Sequence, residues 1–165
     1  MDGTVTLSQT LGYSNSIKQN IVDIGGSIDG DLRLSIQWND KDNNPNDFDA
    51  HCIEPEYYEI FYGNKDYVSP SGGTLDVDIV NPQDSVAVEN IIYKDRHDMA
   101  EGTYDFFVYC FSNNGGTSGF SAEIEIQGRI YNFEYNENLV QGEIVQVAEV
   151  NLNNGRFTLI RKLGH

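Results

Sequence analysis

The stretch Leu32-Arg33-Leu34-Ser35-Ile36-Gln37-Trp38 puts an apolar side chain at every second position, with Arg33, Ser35 and Gln37 between. A period of two marks a strand with one face on a core, because successive side chains point to opposite sides. The next regular stretch, Asp47-Phe48-Asp49-Ala50-His51-Cys52-Ile53, alternates again. Phe48, Ala50 and Cys52 share one side, and Asp47, Asp49 and His51 share the other. Outward from these two, alternation recurs over residues 59–63, 74–80, 89–93, 102–111, 120–127, 129–135, 144–152 and 156–163.

Turn chemistry separates the runs: Asn43-Asn44-Pro45, Gly72-Gly73, Gly115-Gly116, Gln127-Gly128 and Asn154-Gly155. The last two pairs sit between β-branched and aromatic runs and predict tight hairpins. Many short strands at this spacing predict an all-β fold, an antiparallel β-sandwich of jelly-roll or immunoglobulin-like outline. An up-and-down barrel is the alternative. No segment of a dozen residues sustains a helical stripe. Residues 1–30 read as an N-terminal part, with strands at 4–11 and near 20–24 that pair with the sandwich or reach a neighbour as an arm. Gly25-Gly26 would be the hinge, and residues 31–165 the sandwich domain.

The chain has 165 residues, with 26 acidic side chains against 10 Lys plus Arg and a net charge of −16. Such a polyanion repels nucleic acid, and no basic run offsets the repulsion. A hydrophobic fraction of 39% still supports a folded core. No apolar run approaches the roughly 20 residues of a membrane span, and residues 1–21 show no charged-then-apolar leader. The expectation is a soluble chain without signal peptide or membrane insertion. Cys52 and Cys110 lack CxxC spacing and read as buried thiols, with a single bridge between facing strands as the alternative.

Oxygen donors concentrate in residues 38–51. An EF-hand started at Asp40 fails, because its sixth position is Pro45 where the turn needs Gly, and its twelfth is His51 where a Glu is needed. The strand gives a better reading. Asp47 and Asp49, two apart, project from one face at about 6.5–7 Å between Cα atoms and can converge on a hard cation. Asp76 and Asp78 repeat the spacing, and Glu89 follows, so Asp47, Asp49, Asp78, Glu89, Asp76 and His51 are the candidate metal residues. Imidazole suits Zn²⁺, Mn²⁺ or Fe²⁺ better than Ca²⁺, so His51 reads more simply as a hydrogen-bonding neighbour.

Catalysis finds little footing. No Gly-x-Ser-x-Gly elbow is present, and Cys52 directly follows His51 on a strand, so the two point apart. The aromatics Tyr57, Tyr58, Phe61, Tyr62 and Tyr67 would either fill the core or offer a carbohydrate- or peptide-contacting surface.

Leu34-x-Ile36-x-Trp38, followed by Asp47-Phe48-Asp49-Ala50-His51-Cys52-Ile53-Glu54-Pro55, resembles the YfaP-like family of uncharacterised bacterial and phage proteins. The resemblance continues through Ser71-Gly72-Gly73-Thr74-Leu75-Asp76-Val77-Asp78, Val88-Glu89-Asn90-Ile91 and Glu101-Gly102-Thr103-Tyr104, and covers about residues 31–163. Phe48 and Ala50 stand where that pattern has leucines, and Tyr109 where it has a histidine. The Trp and Asp-x-Asp opening is also similar, remotely, to TerD-type stress proteins, which are Ca²⁺-binding β-sandwiches. That likeness implies a metal-binding motif at Asp47 and Asp49, completed by Asp76, Asp78 and Glu89. The expectation is a non-catalytic binding or assembly module with a structural calcium site and a protein partner or self-assembly. A structural component of a phage particle or cell surface, and a metal-dependent hydrolase using Asp47, Asp49 and His51, are the alternatives.

Overall fold

The computed structural model describes residues 3–8, 16–40, 42–79, 82 and 85–164. Among these residues eleven strands form two antiparallel sheets that face each other. The first sheet contains β1 (Gly3–Ser8), β2 (Leu32–Trp38), β5 (Gly73–Val77), β6 (Ala87–Tyr93), β8 (Phe120–Ile126) and β9 (Arg129–Tyr135), in the order β1-β9-β8-β2-β6-β5. The second contains β3 (Asp47–Ile53), β4 (Glu59–Ile60), β7 (Gly102–Ser112), β10 (Ile144–Asn153) and β11 (Arg156–Gly164), in the order β11-β10-β7-β3-β4. The sandwich expected from the alternation is the fold, and the separate sheets replace the barrel alternative.

The core lies where the two alternating patterns meet. Leu34, Ile36 and Trp38 from β2 pack against Phe48, Ala50 and Cys52 from β3, all fully buried. Trp38 and Phe48 have ring centroids 5.4 Å apart, and the Trp38 indole donates to the Asn46 carbonyl at 2.7 Å. That bond satisfies the one polar atom of a ring that otherwise contributes apolar area. Both hairpins form as the sequence predicts. Gln127 and Gly128 have φ of 48° and 85°, Asn154 and Gly155 of 52° and 73°, as a type I′ turn requires.

Residues 3–8 form an edge strand of the first sheet. β1 pairs antiparallel with β9 of the same chain, Gly3 opposite Tyr135 and Ser8 opposite Ile130. The distal end of the strand expected at 4–11 lies outside the described residues, as does His165. The strand expected near 20–24 is instead part of α1 (Ser16–Asp23). Its apolar anchors, Ile17 and Ile21, are four apart on one helical face and bury against Val77 and Val88 on the outer side of the first sheet. The β-branched residues Ile21, Val22 and Ile24 imitate a strand in sequence, but that docking surface selects the helix.

The two thiols are free and buried. Phe48 pairs with Cys110 and Cys52 with Phe106, so the cysteines sit four residues apart along one ladder. That is about 13 Å, beyond the reach of a disulfide. Burial pushes Cys52 up to about 12 and Cys110 to about 11, so both stay protonated. Among the described residues, no helix is long and apolar enough to cross a membrane.

Candidate metal centre

β3 lies near one border of its sheet. The two-residue β4 pairs only with Cys52 and Ile53, so, among the described residues, positions 47–51 have no strand neighbour on that side. Core packing of Phe48, Ala50 and Cys52 turns Asp47, Asp49 and His51 to the opposite face. Across the sandwich, Glu89 pairs with Ile36 in the β2–β6 ladder and therefore points inward from the first sheet. It reaches the bare side of β3, where one carboxylate oxygen accepts the Ala50 backbone N–H at 2.7 Å.

The result is a convergence of acids from both sheets. Ligand-type oxygens of Asp47, Asp49 and Glu89 all lie within 4.8 Å of one another. The three residues are 5%, 3% and 0% exposed. Asp78, in the segment after β5, adds its charge to all three. Asp47 Oδ1, Asp49 Oδ2, Asp78 Oδ1 and Glu89 Oε2 are each buried and meet no hydrogen-bond donor. No cationic side chain among the described residues pairs with the group.

Electrostatics follow from the burial. Desolvation raises Asp47 to about 6, helped by Asp78 and opposed by a hydrogen bond with Asp49. Desolvation also raises Asp49 to about 8, with the charges of Asp47 and Asp78 adding to it. Glu89 is pushed well above its ordinary value by burial first and Asp78 next. Without a cation the cluster therefore retains protons that ordinary carboxyls release near pH 4.

Asp76 lies elsewhere. The ladder between β5 and β6 shifts register between Leu75 and Val77, leaving Asp76 as the extra residue of a bulge. Its oxygens accept from the Ser27 backbone N–H and the Asn90 amide, both at 2.8 Å, on the side covered by α1. The i, i+2 spacing that put Asp76 with Asp78 holds only for an unbroken ladder. Asn90 points the same way as Asp76, away from Glu89, donating to the Ser27 carbonyl at 2.8 Å.

His51 stands beside the cluster and outside the converging triad. Its ring stacks on Phe107, centroids 4.9 Å apart, and on Phe61 at 5.7 Å. Nδ1 faces Glu59 at 2.7 Å, and burial lowers its pKa against the opposing effect of Glu59. Sequence reading did not find these ring neighbours or the Glu89–Ala50 contact, because both depend on pairing across strands remote in the chain.

Above the acids is a cavity of about 160 Å³ lined by Asp47, Asp49, Asp78, Tyr62 and Phe111. The Tyr62 and Phe111 rings meet nearly at right angles, centroids 5.5 Å apart. No protein-family model, curated protein or solved structure matches the chain.

Proposed function

We propose that the chain is a non-catalytic binding module whose acidic border holds a structural calcium ion between Asp47, Asp49, Asp78 and Glu89. The carrying observation is three buried carboxylates, Asp47, Asp49 and Glu89, drawn together from both sheets, with Asp78 beside them, each of the four holding a buried oxygen without a donor. Buried charges are ordinarily paired or coordinate metals, and these have no pairing cation among the described residues.

The donor chemistry selects the ion. All-oxygen, carboxylate-rich sets suit hard cations rather than Zn²⁺ or Cu²⁺. Ca²⁺ bonds at about 2.3–2.6 Å in flexible geometry, so opposite ligands lie up to about 5 Å apart; Mg²⁺ demands about 2.0–2.1 Å and a near-ideal octahedron. Oxygens lying within 4.8 Å of one another come inside the span that Ca²⁺ bridges. The resemblance to TerD-type proteins supports the same choice. In this role the ion cross-links β3 of one sheet to β6 of the other and fixes the segment after β5.

Thermal unfolding of chelator-treated protein tests the reading. Calcium at 100 times its dissociation constant contributes about 2.7 kcal/mol, which raises Tm by roughly 5–10 °C in a domain of this size. Asp49→Asn should abolish that rise. A Tm indifferent to calcium in both proteins would sink the proposal.

A further inference from the structure

We propose that the cavity between Tyr62 and Phe111 is a site for a quaternary ammonium group, held by the two aromatic rings beside the uncompensated charge of the acids. This goes beyond the calcium reading and does not rest on it.

The walls limit the chemistry first. The cavity of about 160 Å³ is lined by Tyr62, Phe111, Asp47, Asp49 and Asp78, yet its surface is almost wholly carbon. The donorless oxygens of Asp47, Asp49 and Asp78 are buried away from that surface. A ligand there finds apolar contact and almost no acceptor. Hydroxyl, ammonium and guanidinium groups all need hydrogen-bond partners once their water is stripped. A cation with every N–H replaced by a methyl group needs none.

Charge then selects a cation over a neutral apolar group. No cationic side chain among the described residues pairs with Asp47, Asp49, Asp78 or Glu89. Four ionised carboxylates around a divalent ion still leave two negative charges, within a chain of net charge −16. Behind an apolar wall such charge is screened less than in water, so it acts on a cation in the cavity without touching it.

The rings complete the match. Tyr62 and Phe111 are 44% and 45% exposed, and their planes meet at 82°. Phe61 packs nearly perpendicular to Tyr62 at 5.2 Å and Tyr109 to Phe111 at 6.4 Å, so each wall ring is braced by a further ring. An aromatic face carries partial negative charge and attracts a cation within about 6 Å, most strongly where water is excluded; choline and methylated lysine are recognised in this way. The volume is below the roughly 300–1,000 Å³ of drug-sized sites, room for one compact head group.

The test is a ligand-observed NMR titration of the whole chain, in calcium and in chelator. The probes are choline chloride, neohexyl alcohol as its uncharged carbon isostere, and a short peptide carrying trimethyllysine. Choline should bind about three- to thirtyfold more tightly than the isostere. Tyr62→Leu and Phe111→Leu keep apolar bulk and should each cut that preference at least about threefold, whereas Tyr62→Phe should retain it. A peptide tighter than choline assigns the group to a protein side chain, and a weaker one to a free small molecule. No choline binding under either condition, equal affinity for the isostere, or a preference unmoved by both leucine variants overturns the proposal. Binding in chelator that calcium displaces puts the cation on the metal position and overturns the cavity assignment. Calcium titrated alone by calorimetry reads the metal site separately, so either reading can fail while the other stands.

Discussion

Two of the places where the protein buries acid are treated differently. On the outer face of the first sheet, Arg33 lies between Glu123 and Glu125, its Nη2 at 2.5 and 2.8 Å from their carboxylates, with all three nearly inaccessible. Lys18 of α1 closes on Glu125 at 3.2 Å, and Ser35 accepts from Arg33 at 2.8 Å. On the border of β3, Asp47, Asp49 and Glu89 converge, with Asp78 beside them, and have no such partner among the described residues. The first cluster supplies its own countercharge from the chain. The second is arranged so that the countercharge must come from solution or from retained protons. Burial alone therefore does not distinguish a structural acid from a ligand; whether the chain supplies a cation or a donor to its oxygens does, as Arg33 does for Glu123 and Glu125 and as Ser69 and Tyr93 do for the buried Glu54.

The largest test of this contrast is Arg33→Met. Removing one partner of a buried ion network typically costs about 3–5 kcal/mol, because the remaining charges are left unpaired. That corresponds to a fall of roughly 6–20 °C in Tm by calorimetry. Asp49→Asn in metal-free protein at pH 8 should leave stability unchanged or raised, since it removes an ionisation that burial opposes. Equal losses in the two variants would erase the distinction.

A second, intermediate effect is the pH dependence of the metal-free protein. Asp49 ionises near 3.8 when unfolded and near 8 when folded, and Asp47 near 6 when folded. Between these values the native state holds protons that the unfolded chain has released. Stability is therefore full below about pH 4 for these groups and declines as pH rises toward 8, by up to about 1.4 kcal/mol per pH unit for each retained proton. Saturating calcium should flatten or reverse the decline, because the ion binds the deprotonated cluster. Denaturant midpoints at pH 5, 7 and 9, with and without calcium, read the sign directly. A metal-free midpoint rising with pH would mean that the cluster has a countercharge after all.

The smallest effect separates two acids that sequence spacing treats alike. Asp78→Asn should cut the calcium-induced rise in Tm by more than half, whereas Asp76→Asn should leave it unchanged. Asn at 76 still accepts a hydrogen bond, so its cost in stability should be near the roughly 1 kcal/mol of one weakened contact. Calcium affinities that fall equally in both would place the bulge on the wrong side of Asp76.

The sandwich, both hairpins and the Asp47–Asp49 pair were legible because they depend on regular local patterns, period-two alternation and turn residues. Glu89 was legible as a candidate but not as the residue that crosses between sheets, since that follows from its register opposite Ile36. Asp76 was misplaced for one reason: a bulge adds a residue without leaving any mark in composition. The Arg33 network escaped the sequence reading because alternation implies that Arg33, Ser35 and Gln37 face water. In the structure all three are buried, and contacts from α1 reach this outer face, Lys18 to Glu125 and Asn20 to Gln37.

The brevity of β4 has a further consequence. A strand border without a neighbour is where a foreign strand adds most readily, and proteins guard such borders with inward-pointing charge or an occupied hydrogen-bonding group. Residues 47–51 have both: charge along the face turned away from the core, and the Ala50 amide already taken by Glu89. Protection of one sheet against aggregation thus comes from a single side chain of the other.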